Sequence, residues 1–255
     1  MNTYLSVVVP SYNEEKNLER GVLEELIEYL GKQTYSWELI LSDDGSTDST
    51  LKQLKAFAQK HKFVRVVDNP HKGKAATVTA GMLAAQGEWR LFTDFDQSTP
   101  ISEVEKLLPY IKQGYQVIIG SREMMGAVRS SEPWYRHLMG RVFNLVVQMF
   151  TVPGLLDTQC GFKLFSAAAT EQLFPKLRIY GTQTVRHDAF TGAFDVELLY
   201  LAFINKIPIR EVPIFWQHHE TDRVSPIKDS LRMFRDILRI RLGVWTGKYQ
   251  DHDRA

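Results

Sequence analysis

Gly87-Glu88-Trp89-Arg90-Leu91-Phe92-Thr93-Asp94-Phe95-Asp96 is a short apolar run that ends in two carboxylates. Residues 89–93 read as a buried strand, and Asp94 and Asp96 stand at its C-terminal end. Open α/β sheets bind their ligands outside the carboxyl ends of the strands, so acid stands where a ligand is expected. Residues i and i+2 of an extended segment share a face. If extension persists past Thr93, both carboxylates address one divalent cation. Hard cations such as Mg²⁺ take oxygen ligands and commonly share them with a substrate diphosphate. A solvated acidic turn fits the same three residues, so the Asp-x-Asp pattern alone leaves both readings open.

Outward from this strand, the first half alternates strand-like and helix-like blocks. Strands are expected at residues 5–10, 37–41, 63–67, 89–93 and 115–119, and helices at 14–30, 73–86 and 101–113. Leu18, Val22, Leu26 and Leu30 recur at helical spacing, and Ser46-Thr47-Asp48 reads as the cap of a helix carrying Leu51, Leu54, Phe57 and Ala58. Alternation of this kind means right-handed crossovers and an α/β fold with a mostly parallel sheet covered on both faces. The second half is less regular. Helices are expected at 133–150, 194–205 and 226–245, strands at 161–165 and 207–212, a long loop at 178–192 and a polar tail after 245.

Three further strand–helix junctions carry polar groups. Pro10-Ser11-Tyr12-Asn13-Glu14-Glu15 can hold a base or ribose, and it also fits a helix cap. In Ser42-Asp43-Asp44-Gly45-Ser46-Thr47-Asp48 a carboxylate can accept the imino N–H of a base; an Asx-type turn is the alternative. Two adjacent Asp exceed what a cap requires. Asn69-Pro70-His71-Lys72-Gly73-Lys74 leads into a helix whose free N–H groups suit phosphate, with Lys72 and Lys74 adding charge, although the spacing is not that of a Walker loop. An exposed basic turn fits it as well. The order is what carries weight: base acceptor, phosphate cradle and acidic pair on successive junctions of one sheet edge.

The 255 residues suffice for one large domain or for a domain with an appendage. A net charge of +1 removes any bulk argument for nucleic acid. Cys160 is the single cysteine, which rules out an intramolecular disulfide and suits a reducing compartment. No apolar run reaches the ~18–20 residues of a membrane span, and no signal peptide is read at the N-terminus. The expectation is a chain that is soluble or lies on a membrane.

Val8-Val9-Pro10-Ser11-Tyr12-Asn13-Glu14-Glu15, Asp43-Asp44-Gly45-Ser46-Thr47-Asp48, Gly73-Lys74 and Asp94-Phe95-Asp96 together resemble the family 2 glycosyltransferases of GT-A fold. Gly120-Ser121-Arg122, Asp157-Thr158-Gln159-Cys160-Gly161-Phe162-Lys163, Phe194-Asp195-Val196-Glu197, Arg210-Glu211-Val212-Pro213 and the stretch from Lys228 to Arg241 are similar to the dolichyl-phosphate β-glucosyltransferase branch. The likeness covers roughly residues 4–242, and Asp157–Lys163 is its most specific part. The family usually has a small residue at Phe95 and often Leu at Gln97, and many relatives carry membrane segments.

This resemblance implies a Rossmann-like GT-A domain over residues 1–225, with a nucleotide half to about 120 and an acceptor half beyond it. An amphipathic helix and polar tail would occupy 226–255. It implies a UDP-sugar donor, UDP-glucose first, a polyprenyl-phosphate acceptor such as dolichyl phosphate, and inversion at the anomeric carbon. Asp94 and Asp96 would hold Mg²⁺ or Mn²⁺. Pro10, Tyr12, Glu14 and Asp43 would hold the uridine, with Asp44 and Lys74 also on the nucleotide. Arg122 and Arg136 would hold the acceptor phosphate, with Arg223 as a further candidate. Asp157 would orient a cationic side chain or act as a base. Gln159 and Lys163 would line the same site, unless Lys163 is a surface residue. His218-His219-Glu220 reads as a polar loop near the acceptor rather than a metal site. A GDP-mannose-dependent mannosyltransferase and a catalytically silent nucleotide-sugar-binding subunit are the rival readings.

Ile227, Leu231, Phe234, Leu238 and Leu242 form an apolar stripe at helical spacing, and five basic residues outnumber two acids between Lys228 and Arg241. Such a helix can lie in a membrane interface or pack on the domain. The expected location is peripheral, at the cytoplasmic face of a membrane. Residues 178–192 are read as a loop that closes over the acceptor.

Overall fold

A computed structural model describes residues 3–130, 134–181, 192–218 and 226–249, with the side chains of 134–136 and 226–230 outside the description. Arg223, His219, Glu220, most of the 178–192 loop and the final residues therefore lie outside the described residues.

The first half contains β1 (Leu5–Ser11), α1 (Glu15–Glu19), α2 (Val22–Gly31), β2 (Trp37–Asp43), α3 (Thr50–Lys60), β3 (Val64–Asp68), α4 (Lys74–Ala84) and β4 (Trp89–Thr93). Then come α5 (Val104–Leu107), β5 (Val117–Ser121), β6 (Val128–Arg129), α6 (Trp134–Phe150), β7 (Phe162–Ser166) and α7 (Ala167–Leu173). The chain continues through α8 (Phe194–Ile204), β8 (Ile209–Pro213), β9 (Phe215–Trp216) and α9 (Pro226–Trp245). Among the described residues seven strands form one sheet in the order β3-β2-β1-β4-β7-β5-β8. All neighbours pair in parallel except β7, which runs antiparallel to both β4 and β5. β6 and β9 pair as a separate two-stranded ribbon.

Every residue of β1 is buried, as a parallel strand covered by helices on both faces demands. Alternate side chains serve two cores. Val8, Ile40 and Phe92 point to the layer of α4, α7 and α8, whereas Val7, Val9, Leu39, Leu41 and Leu91 point to α2 and α5. This two-sided burial makes the sheet rigid and leaves its C-terminal edge to the loops.

Three expectations are corrected. The helix at 14–30 is two helices, α1 and α2, because Gly21 between them takes a left-handed φ of 78°. The helix at 101–113 reduces to the single turn of α5 flanked by 3₁₀ turns, the second containing Pro109, whose missing N–H cannot serve an α-helical ladder. Extension does not persist past Thr93. The chain turns there, Gln97 N donating to the Asp94 carbonyl at 3.2 Å with Gln97 at φ 51°.

Candidate active site

The C-terminal ends of β1, β2, β3 and β4 share one edge, and side chains tie their loops together. Asn13, at a left-handed φ of 53°, accepts from Thr47 N at 2.9 Å and donates its own N–H to Ser46 Oγ at 3.0 Å. Asp43 is fully buried; its carboxylate accepts from Ser46 Oγ at 2.6 Å, Ser46 N at 2.8 Å and Ser11 Oγ at 3.3 Å. Asp44 accepts from the N–H groups of Lys72 and Gly73 and meets His71 Nδ1 at 3.0 Å. The two aspartates thus brace the β1 and β3 loops around their own turn, which accounts for there being more acid than a cap needs. Pro10 ends up buried in β1, and Glu14 is nearly so, accepting from Asn17 Nδ2 at 2.5 Å.

Tyr12 lies flat against His71, ring centroids 4.4 Å apart and planes 14° from parallel. His71 went unassigned in the sequence. Its signal in the sequence is a flat ring two residues before Gly73, in a loop whose lysines are otherwise its most conspicuous residues.

Lys74, the first residue of α4, donates to Asp94 Oδ1 at 2.5 Å. Burial lowers the Lys74 pKa, but the charges of Asp94, Asp195 and Asp96, with the Asp94 hydrogen bond, reverse this and leave it raised. Asp94 thus pairs directly with Lys74, and the charge of Asp96 reaches it from across the turn. Asp96 also accepts from Ser98 N at 2.9 Å. Gly161 makes room for this arrangement: a Cβ there would lie 2.0 Å from Asp94 Oδ2. Among the described residues no group of three or more His, Cys, Asp or Glu forms a metal cage. Two partly exposed carboxylates with hard oxygen donors instead fit a divalent ion that completes its shell from a diphosphate and water.

Across β7 stands a second ion pair. Arg122 follows β5 and grips Asp157 with Nε at 2.6 Å, Nη2 at 2.8 Å and its backbone N at 2.9 Å. Burial raises the Asp157 pKa, yet the Arg122 charge and hydrogen bonds prevail and hold it at about 2, well below the usual carboxylate range. Arg122 moves upward for the same reason. Both carboxylate oxygens are thus taken up by Arg122, the geometry of a group that orients a cationic side chain. Glu211 of β8 holds the strap beneath it, accepting from Asp157 N at 2.7 Å and Leu156 N at 2.9 Å. Burial pushes the Glu211 pKa up and the neighbouring Cys160 thiol up to about 12. Arg122 and Arg129 both lie over the Trp216 ring, at 5.4 and 5.3 Å. Glu123 pairs with Arg129, His137 and Arg141.

Arg136 falls in the first turn of α6, its side chain outside the description, so its approach to Arg122 is not described. Lys163 is fully buried, so its reading as a surface residue is overturned. His218 is tied through its N–H to Ser130 Oγ at 2.6 Å beside Trp216.

Residues 6–174 match the family model described as glycosyl transferase family 2. The chain belongs to glycosyl transferase family 2. Within that family it is 34% identical over 264 residues to a dolichyl-phosphate β-glucosyltransferase of Dictyostelium discoideum, covering 96% of this chain and 77% of that protein. It is 35% identical to the Homo sapiens protein of the same name, with the same coverage. The architecture, GT-A, is shared with glucosyl-3-phosphoglycerate synthase of Mycobacterium tuberculosis, solved with Mn²⁺, UDP and glucosyl-3-phosphoglycerate. There the TM-score is 0.63 at 21% identity, over 94% of this chain and 79% of that one. For this family 2 glycosyltransferase, the matched residues 6–174 run from β1 through α7. Asp195, Glu211, Trp216 and α9 come after them, within the span shared with the full-length relatives.

Proposed function

We propose that this chain transfers glucose from UDP-glucose to a polyprenyl phosphate of the dolichyl type, with inversion at the anomeric carbon. The observation that carries the reading is the placing of two charge pairs, Lys74–Asp94 and Arg122–Asp157, on one sheet edge either side of β7. The first suits a leaving diphosphate and the second an incoming phosphate. The names of the relatives support the glucosyl group and the lipid acceptor, and the UDP in the synthase structure supports the donor.

In this reading Pro10, Tyr12, Glu14, Asp43 and Asp44 shape the uridine pocket, Asp43 and Asp44 through the loops they brace and Tyr12 through its ring. Asp94 and Asp96 hold Mg²⁺ or Mn²⁺, which when bound withdraws charge from the leaving diphosphate. Lys74 stands ready to balance charge on the nucleotide as the donor enters. An oxygen of the acceptor phosphate attacks C1 of glucose, and the bond from C1 to the β-phosphate oxygen breaks, its electron pair leaving on UDP. The acceptor is anionic near neutral pH and needs no general base, only a fixed approach. Arg122, planar and locked by Asp157 through Nε and Nη2, would hold that phosphate, with Arg136 and Arg223 as further phosphate donors.

A lipid acceptor also calls for a membrane surface, and we place the protein peripherally at a cytoplasmic face. α9 has two apolar sides. Ile237 and Ile240 are buried against the domain, while Leu231, Phe234, Leu242 and Trp245 are exposed. α6 packs beside it, Phe150 against Phe234, and exposes Leu138, Val142, Leu145 and Met149 along one face. Among the described residues no helix is long and apolar enough to cross a membrane.

The test is transfer of labelled sugar from UDP-glucose and from GDP-mannose to a short polyprenyl phosphate, with and without Mg²⁺ or Mn²⁺. Metal-dependent lipid product from UDP-glucose is the expected result. Product from GDP-mannose alone, or none from either donor, overturns the assignment.

A further inference from the structure

Lys163 has no exposed surface, yet it carries an ammonium group into the centre of the sheet. It sits on β7 opposite Phe92 of β4 and Ile119 of β5. Its Nζ donates to Asp195 Oδ1 at 2.6 Å, in the first turn of α8, and to the carbonyl oxygen of Cys160, and it stands 5.3 Å from the centre of the Phe92 ring. A buried ion pair of this kind is weak evidence of stability, since two apolar groups of similar volume often serve as well. Its place in the site accounts for it better.

The turn ahead of β7 is held by side chains. Asn144 takes the Leu155 carbonyl, Glu211 takes the N–H groups of Leu156 and Asp157, and Lys163 takes the Cys160 carbonyl. One end of that turn is Asp157, on Arg122. The other is Gly161, against which the Asp94 carboxylate rests. The charge of Lys163 reaches Asp157, and that of Asp195 reaches Lys74.

We propose that Lys163 is a positioning residue whose buried ammonium, anchored on Asp195, fixes the 157–161 turn and so sets Asp94 at a defined distance from the Arg122–Asp157 pair. This rests on the reading that Asp94 serves the donor and Arg122 the acceptor. Groups that orient a first layer of ligands, without touching substrate, change activity by about 10–100-fold.

The test compares the wild type with Lys163→Met and with Lys163→Met/Asp195→Asn, the double variant leaving no unpaired buried charge. Thermal unfolding, hydrogen–deuterium exchange and transfer kinetics are measured on each. In the double variant Tm recovers most of what the single variant loses, exchange of the 156–161 amides rises at least about tenfold while β1 and β4 stay protected, and kcat stays about 10–100-fold below wild type with little change in either KM. Unchanged exchange at 156–161 overturns the proposal whether or not transfer is seen. A double variant with a loosened turn and wild-type kcat overturns it as well. A wild-type protein that transfers no glucose defeats the functional reading, while the exchange arm still decides whether Lys163 holds the turn.

Discussion

Asp157→Asn should separate an orienting carboxylate from a catalytic base. The change keeps shape and volume and removes one charge. Folding brings the Asp157 pKa from the ordinary 3.8 to about 2. At 1.36 kcal/mol per unit this corresponds to about 2 kcal/mol of native-state stabilisation. The pKa is depressed on folding, so the contribution is complete above the unfolded value and is lost as pH falls through the folded one. Roughly half of it is gone by pH 3. The substitution removes all of it at pH 7 and also strips Arg122, whose side chain is only 21% exposed, of its counter-charge. Breaking a buried pair from one side costs about 3–5 kcal/mol, so urea unfolding at pH 7 should show a loss of about 2–4 kcal/mol. The gap between wild type and variant should narrow at pH 3.

The same variant decides the chemistry. An Asp157 that titrates near pH 2 is ionised throughout the working range, so it contributes no acid limb to kcat/KM. Asp157→Asn should then lower kcat/KM by a constant factor, about 10–100-fold, from pH 5.5 to 8, as Arg122 loses its fixed orientation. An acid limb with an apparent pKa above about 5 that vanishes in the variant would make Asp157 a base and refute the reasoning. So would wild-type stability at pH 7.

Three further outcomes are expected. Asp94→Ala or Asp96→Ala should lower metal-dependent turnover by more than about 100-fold, the scale of several kcal/mol of lost charge stabilisation; full turnover in either variant removes that residue from the metal assignment. Gly161→Ala drives a Cβ to 2.0 Å from Asp94 Oδ2, so calorimetric binding of UDP with Mn²⁺ should weaken, and unchanged affinity would show that the carboxylate is free to move aside. Reversing Arg232, Arg235 and Arg239 to Glu should reduce binding to anionic vesicles by more than about 100-fold, at roughly 1 kcal/mol per basic residue; unchanged sedimentation with vesicles rejects α9 as the membrane contact.

The edge formed by the ends of β1 to β4 was legible in the sequence because its parts are local. Each strand and the loop after it are contiguous, so alternation of apolar runs with Asp-, Lys- and Gly-bearing junctions announced the parallel sheet and the edge on which those junctions gather. What it could not show was which acids are spent on structure. Asp43 and Asp44 look alike in the chain, and only the fold reveals that one braces Ser46 and Ser11 while the other holds the 71–73 turn. The pleat expected to turn Asp94 and Asp96 to one face is replaced by a turn, because β4 ends at Thr93 and the chain folds back at once. On α9 the stripe picked out by its spacing includes Leu231, Phe234 and Leu242, which face away from the core. Helical periodicity marks an apolar face but not which of two faces the domain covers. The role of Glu211 has no local signal, because its partners, the N–H groups of Leu156 and Asp157, lie more than fifty residues away.

The antiparallel course of β7 is what lets the two halves of the site meet. β4, β5 and β8 all run the same way, so Asp94, Arg122 and the segment leading to Trp216 follow the sheet at its C-terminal edge. A parallel strand between β4 and β5 would enter from the opposite edge, and the turn before it would lie a full strand length from Asp94. β7 instead starts at the ligand edge, pairing Phe162 with Thr93, so the 157–161 turn lies directly beside Asp94. Side chains alternate along a strand, and a one-residue slip of this pairing would carry Lys163 to the other face and away from Asp195. Register, the buried lysine and the gap left by Gly161 therefore act as a single constraint on where Asp94 stands relative to the Arg122–Asp157 pair.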